Sequence, residues 1–292
     1  MSQPSGPDGL AVIDKPAGWT SHDVVAKLRG VLGTRKVGHA GTLDPDATGV
    51  LLVGVGRATR LMRFMTALPK HYVGEIVLGT ETTTLDAAGE VTATHDMADV
   101  TLAAAQEAAT RLTGDILQVP PMVSAVKVGG KRLHELARQG IEVEREARPV
   151  TVHRFEVSEV AGEPGVLRAE VECSSGTYVR TLAADLGHLL GGGAHLRNLR
   201  RTAIGSFTLD EATSIDGATV LPPAEALRDL SAVTVDDEVA ALVRNGRVLP
   251  NDVLRVEGEG PWPVLDATGS LLAVYEQAGS DGRTKPAVVL PN

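Results

Sequence analysis

The chain has 292 residues, of which 43% are hydrophobic, 22% charged and only 3% aromatic. That length and mixture suit a globular protein of one large domain, or of a larger and a smaller one, and they exclude fibres and wholly disordered chains. The formal net charge of -9 is unevenly spread: residues 1–204 carry 22 Lys and Arg against 23 Asp and Glu, whereas residues 205–292 carry 6 against 14.

Residues 9–14 read as a short strand, and a helix is expected from Thr20 to Leu32. Thr20 or Ser21 can cap that helix, Asp23 suits its positive end, Val24, Val25, Leu28, Val31 and Leu32 form one apolar stripe, and Gly33 stops it. A glycine-punctuated loop at 38–49 is followed by a buried strand at 50–53, a helix with three arginines at 57–67, and a strand at 71–79. Thr101–Leu112 is an alanine-rich helix; Ser124–Val128 with Gly129-Gly130 suggests a strand and turn, and a short helix then runs to Gln139. Strands at 148–160 and 166–173 precede a helix from Tyr178 to Leu190. Thr213–Pro223 reads as a linker, and beyond it a helix at 236–245 and short strands around the Asp266–Gly269 turn form a compact β-rich module. Strands and helices mix without steady alternation, which predicts an α+β fold on a mixed, largely antiparallel sheet, with domains at 1–230 and 231–292.

The single cysteine, Cys173, cannot form an internal disulfide and excludes zinc sites that need several thiolates, so a reducing compartment fits. The first residues have no basic and apolar leader pattern, and no apolar run approaches the roughly 18 residues of a membrane span. A cytoplasmic location is expected, with no membrane partner. Phosphate-loop patterns are absent and Gly54-Val55-Gly56 lacks the third glycine of a dinucleotide fingerprint, so no nucleotide cofactor is expected. His134-Glu135 opens like a zincin helix, but Arg138 stands where the second histidine is needed; Ser124-Ala125-Val126-Lys127 matches S-x-x-K without its companion motifs. Basic clusters occur at Arg29, Arg35 and Lys36; at Arg57, Arg60, Arg63 and Lys70; at Lys131 and Arg132; and at Arg197, Arg200 and Arg201. Each is a solvated face or a nucleic-acid contact.

Two stretches concentrate chemistry. In Gly38–Gly49, three glycines and Pro45 constrain the backbone around Asp44, whose carboxylate either serves as nucleophile or base or joins Asp46 in holding a turn. In Cys173–Arg180, at a strand-to-helix junction, Arg180 is either a surface residue or a guanidinium able to hold Asp44 in bidentate geometry and keep it ionised.

Together these stretches resemble the TruB family of bacterial tRNA pseudouridine synthases. Supporting segments are Asp14-Lys15-Pro16 with Gly18, Thr20, Ser21 and His22; Lys36 to Gly49; Gly54 through Thr59; Lys70 and Tyr72 ahead of Gly79; Gln118 through Pro121; Ser124 to Lys127; and Arg148-Pro149. The resemblance implies a pseudouridine-synthase-like catalytic domain with a PUA-like C-terminal module, no cofactor and no metal, and a monomer acting on the T-arm of tRNA at the T-loop uridine of position 55. It implies Asp44 as the essential aspartate, Arg180 as its ion-pair partner, and Tyr72 as the residue covering the target base and serving proton transfer. Because the target is stacked inside a folded loop, it must be flipped out; His39 fills the gap, while Lys15 and Tyr178 line the pocket. Lysines and arginines at 36, 57, 60, 63, 70, 127, 131 and 132 become phosphate contacts, with Lys36 and Lys127 counted among the substrate-binding residues. Ser175 stands where many relatives carry lysine, and Val123 where an aromatic residue is frequent. The acidic C-terminal module repels phosphate at long range and confines any RNA contact to a small basic spot such as Arg244 and Arg247. A non-catalytic tRNA-folding chaperone, or a pseudouridine synthase for a different RNA, are the competing readings.

Overall fold

The computed structural model describes residues 6–290, apart from 125–126, 129, 134–135, 137–138, 142 and 280. Strand β1 (Gly9–Lys15) lies antiparallel to β3 (Thr48–Val55), with β2 (Val37–Ala40) on the other side of β3. Both β1 and β3 are apolar almost throughout because both of their faces are covered. Helix α1 (Ser21–Val31) packs Val24, Val25 and Leu28 on Ala11, Ile13, Leu51 and Val53. On the opposite face, Leu10, Val12, Val50 and Leu52 meet Ala58, Leu61 and Met65. These last come from a 3-10 turn (Gly56–Leu61) running into helix α2 (Met62–Ala67), where the sequence predicted one helix. Thr20 caps α1 in a reciprocal capping box with Asp23; Val31, placed on the apolar stripe from sequence, is 38% exposed.

The sheet continues through β4 (Lys70–Leu78), β7 (Gly114–Gln118), β10 (Arg148–Glu159), β11 (Val166–Cys173) and β12 (Ala194–Ile204). Its order is β1-β3-β12-β4-β11-β10-β7, antiparallel except where β12 meets β3. The hairpin β5 (Thr80–Thr82) and β6 (Val91–Thr94) and the short pair β8 (Lys127–Val128) and β9 (Lys131–Arg132) stand off this path, and β13 (Phe207–Thr208) extends β12. Helices α3 (Leu102–Arg111) and α4 (Val179–Leu189) bury Ala105, Ala109, Leu182 and Leu186 against Val152, Val157, Ala169 and Leu196 on one face. The largely antiparallel mixed sheet agrees with the sequence reading, which nonetheless had no strand at 194–204.

Two further expectations are corrected. The 38–49 loop contains β2 and the start of β3, so the irregular segment is only 41–47. Thr213–Pro223 is not a free linker: Thr213 exchanges backbone hydrogen bonds with Val12 and Asp14, and Leu221 with Leu10, so this segment covers the open edge of β1. After it, β14 (Val233–Thr234), β15 (Leu249–Pro250), β16 (Trp262–Leu265), β17 (Leu271–Gln277) and β18 (Arg283–Val289) form a five-stranded sheet. Helix α5 (Asp237–Arg244), capped by Asp236, packs on that sheet around Trp262 and Tyr275. Leu271, Val274, Val288 and Leu290 of the same sheet join the core beneath Leu61 and Met65, so the β-rich unit is fused to the larger one by apolar contact. Among the described residues no helix is long and apolar enough to cross a membrane.

Candidate active site

Register sets the site. Gly49 of β3, Arg201 of β12 and Tyr72 of β4 are side-by-side neighbours across the middle of the sheet. The close β3–β12 approach requires glycine: Gly49 has φ +102, and a Cβ there would sit 2.1 Å from the Arg201 carbonyl oxygen. Above this row lies a cavity of about 260 Å³ lined by Asp44, Lys70, Tyr72, Tyr178, Arg180 and Arg201, among others.

The loop that carries Asp44 is held residue by residue. Arg201, 1% exposed, donates to the carbonyls of Val50 (2.7 Å), Gly41 (3.1 Å) and Thr42 (3.5 Å). Ser21 Oγ accepts from the Leu43 amide (2.9 Å) and donates to the Leu43 carbonyl (3.2 Å). Lys15 Nζ donates to the carbonyls of Pro45 (2.8 Å), Trp19 (2.6 Å) and Pro16 (2.9 Å), and the Gly18 amide also donates to Pro45. Lys15 is therefore fully buried beneath the loop, clamping it, rather than lining the cavity as expected from sequence. Burial pushes its pKa down to about 8, with Asp46 and Asp44 opposing.

Arg180 reaches this loop from the first turn of α4, itself 4% exposed. Its Nε lies 3.0 Å from Asp44 Oδ2 and its Nη2 3.3 Å from Oδ1, a two-point grip on the carboxylate. The same guanidinium donates to the carbonyls of Thr84 and Val123 (both 2.9 Å) and stands 3.3 Å from Asp86 Oδ2. Burial pushes the Asp44 carboxyl above the usual carboxylate range; Arg180 pulls it back down, while Asp86 adds to the rise. The Asp44 side chain still keeps 41% of its surface open, and it faces both this cavity and a second of about 380 Å³ behind it.

Tyr72 forms one wall, its phenol pushed upward by burial with Arg201 opposing. Tyr178 forms another, at the N-cap of α4. His39 is not in the cavity wall but on β2 just before the loop, edge-on to the exposed His22 ring at a centroid separation of 5.3 Å. Burial pushes His39 down to about 4, which keeps the ring neutral at physiological pH.

The expected phosphate contacts divide. Lys36, with Arg29 and Arg35, is exposed and has no ion-pair partner among the described residues. Lys70 is buried, donating to the carbonyls of Thr66 (2.5 Å) and Leu68 (2.6 Å). Arg57 pairs with Asp8, Arg60 donates to the Val289 carbonyl, and Arg63 lies 3.6 Å from Glu276, so two of this cluster face the C-terminal unit. Arg197 is paired with Glu75 and Glu163, and Arg200 with Asp14. Arg244 is paired with Asp266, which leaves only Arg247 of the C-terminal basic spot without an acidic partner among the described residues. The side chains of Lys127, Lys131 and Arg132, and residues His134, Glu135 and Arg138, lie outside the described residues.

Sequence reasoning missed Asp86, Arg201 and the roles of Ser21 and Gln118. Arg201 left one signal, its place in the Arg197–Arg201 basic run, but which of two adjacent arginines turns inward depends on the strand β12, which the sequence reading did not have. Asp86 gives no such signal, because it reaches Arg180 only when the 83–90 turn docks on β12 through the Leu85–Leu196 and Ala87–Leu196 hydrogen bonds.

Comparison with known proteins agrees with this architecture. Residues 29–179 match the family model "TruB family pseudouridylate synthase (N terminal domain)", and residues 180–230 match "tRNA pseudouridylate synthase B C-terminal domain". Proteins named tRNA pseudouridine synthase B are 45% identical in Mycobacterium tuberculosis (98% of this chain, 96% of that one) and 48% identical in Streptomyces coelicolor (93% and 94%). Among solved structures, one described as a Cbf5-Nop10-Gar1 complex superposes with a TM-score of 0.73 at 25% identity, covering 100% of this chain and 90% of that one.

Proposed function

The chain belongs to the TruB family of tRNA pseudouridine synthases, which are isomerases, and on that premise we propose that it converts the T-loop uridine of tRNA, position 55, to pseudouridine in the cavity holding Asp44. The observation that carries this reading is the two-point Arg180–Asp44 pair on the floor of a cavity walled by two tyrosines.

The reaction breaks the bond between N1 of uracil and C1′ of ribose and forms one from C5 to C1′; the C5 proton leaves and N1 gains one. Nothing is oxidised or reduced, so what the protein must supply is a carboxylate, a confined base and a route for one proton. Arg180 occupies one side of the Asp44 carboxylate and leaves its remaining lone pairs toward the cavity, available to the sugar, to the base or to a sugar proton. Tyr72, held as the neutral phenol by burial, offers a stacking face and a hydroxyl hydrogen bond rather than a phenolate base. Tyr178 closes the opposite side. A neutral, half-buried His39 at the cavity approach suits filling the gap left by the flipped nucleotide, since an uncharged ring stacks without the cost of desolvating a charge. Arg29, Arg35 and Lys36, with the lysine at 127, grip the phosphates of the T-arm, and the enzyme works as a cytoplasmic monomer.

Asp44→Asn is the test. Unmodified tRNA incubated with the variant should yield no mapped pseudouridine at position 55, while filter binding of tRNA stays within about twofold of the parent, since the carboxylate acts on the barrier rather than on the phosphates. Conversion by the Asn variant, or conversion by the parent at another uridine only, would each overturn a different half of this reading.

A further inference from the structure

Gln118 ends β7, the edge strand of the large sheet, and is 2% exposed. Its side-chain amide meets both backbone polar groups of Tyr178: Oε1 accepts from the Tyr178 amide at 2.7 Å, and Nε2 donates to the Tyr178 carbonyl at 3.1 Å. Tyr178 needs such a partner. It sits just outside α4 with an extended backbone (φ -101, ψ 106), no side chain caps the helix, and no other described residue receives its N–H. An amide, neutral across the ordinary pH range, can donate and accept side by side, reproducing across 60 residues the pairing a neighbouring strand would give.

We propose that Gln118 is a positioning residue that sets the Tyr178 ring against the reacting nucleotide, an inference that rests on the reading of Tyr178 as a wall of the active cavity. Two hydrogen bonds to one residue's N–H and C=O fix both translation and peptide-plane rotation. The next residue along the chain is Val179 and then Arg180, so the same clamp sets where the guanidinium starts. Position therefore transmits to turnover more than to binding, since the phosphate contacts lie elsewhere.

The test is a double-mutant cycle on kcat with tRNA, using Gln118→Met, Tyr178→Ala and the double variant. Gln118→Met keeps length and removes both hydrogen bonds. It should lower kcat by about ten- to a hundredfold with KM little changed. In the Tyr178→Ala background the same change should lower kcat by no more than about threefold, the part that acts through Arg180. If the two losses simply multiply, Gln118 does not act through the Tyr178 ring and the inference falls. If Tyr178→Ala alone leaves kcat unchanged, the cavity reading of Tyr178 is what fails. Gln118→Glu decides the matter should the Met variant not fold. As a protonated acid it can donate and accept as the amide does; as a carboxylate it faces the Tyr178 carbonyl with no proton. Its kcat relative to the parent should rise as pH falls, and a flat ratio would count against the clamp.

Discussion

The buried cations in and beneath the cavity and the exposed ones of the outer face at α1 and β2 are used in opposite ways. Lys15, Lys70, Arg180 and Arg201 are each at most 5% exposed, and each is held by two or more backbone carbonyls or carboxylates. Arg29, Arg35 and Lys36 are exposed and have no acidic partner among the described residues. An unpaired buried charge costs several kcal/mol, on the order of magnitude that whole domains have to spare, so an interior cation must be spoken for and cannot also grip a phosphate. Within the inner set Lys15, Arg180 and Arg201 hold the loop around Asp44 and Lys70 ties the end of α2 to the start of β4; the outer set is left open to solvent. Runs of Lys and Arg look alike in sequence, and only burial separates these two fates.

Altering an inner cation should have the largest effect. Arg180→Lys keeps the charge but loses the planar fork that serves Asp44, Asp86 and two carbonyls together. We expect kcat for pseudouridine formation to fall by at least about a hundredfold, as for a displaced catalytic group, with tRNA affinity near the parent's. A variant turning over within threefold of the parent would mean that the inner pair is ornamental to catalysis. Next comes Ser21→Ala, which takes both hydrogen bonds from Leu43 and should cost about 1–3 kcal/mol in denaturant unfolding with a roughly tenfold fall in kcat.

How much of this contrast was readable beforehand follows from what kind of signal each part leaves. The strands β1, β10 and β11, helices α1, α3 and α4, and the Thr caps of α1 and α3 were legible because apolar periodicity and Thr capping are local. The strand β12 was not: its Arg197-Asn198-Leu199-Arg200-Arg201 run, with Asn198 at φ +53 and a register shift against β4, has no clean alternation, and its central position is dictated by partners far along the chain. In the site, Asp44 and Arg180 stood out through their glycine- and proline-framed motifs. Asp86 and Gln118 act through tertiary docking, which leaves no spacing to read. The direction of Lys15 and Lys70, inward to carbonyls, likewise depends on what surrounds them.

Acidity sharpens the inner half further. Burial raises the folded-state Asp44 pKa above its unfolded value, so the folded chain holds that proton more tightly than the unfolded chain. The sign of the linkage is then that folding stability falls as pH rises from the ordinary carboxylate value through the raised one. Asp44→Asn cannot ionise, and its Tm relative to the parent should rise across that window. The acid limb of the parent's kcat/KM should likewise lie above the ordinary carboxylate range. A limb at or below that range would show that Arg180 outweighs burial. On the outer face, replacing Arg29, Arg35 and Lys36 together by Ala should weaken tRNA binding. Its dependence on the logarithm of salt should flatten by about 0.7–0.9 for each phosphate no longer neutralised, with kcat at saturating tRNA unchanged.

The smallest effect belongs to cations that fit neither class. Arg60 and Arg63 sit in a basic run like the outer set, yet they reach the Val289 carbonyl at 2.6 Å and Glu276 at 3.6 Å on the C-terminal unit. Arg63 and Glu276 are well exposed, so solvent screens their attraction, and the seam is held chiefly by Leu61, Met65, Val274, Val288 and Leu290. Replacing both arginines by Ala should shift unfolding by less than about 1 kcal/mol, as exposed pairs do, and leave the salt dependence of tRNA binding where it was. Should that dependence instead flatten as it does for the outer three, these arginines contact phosphate in the complex and the seam opens to RNA. The division by ion-pair partner would then fail, and exposure alone would sort cations that touch RNA from those that do not.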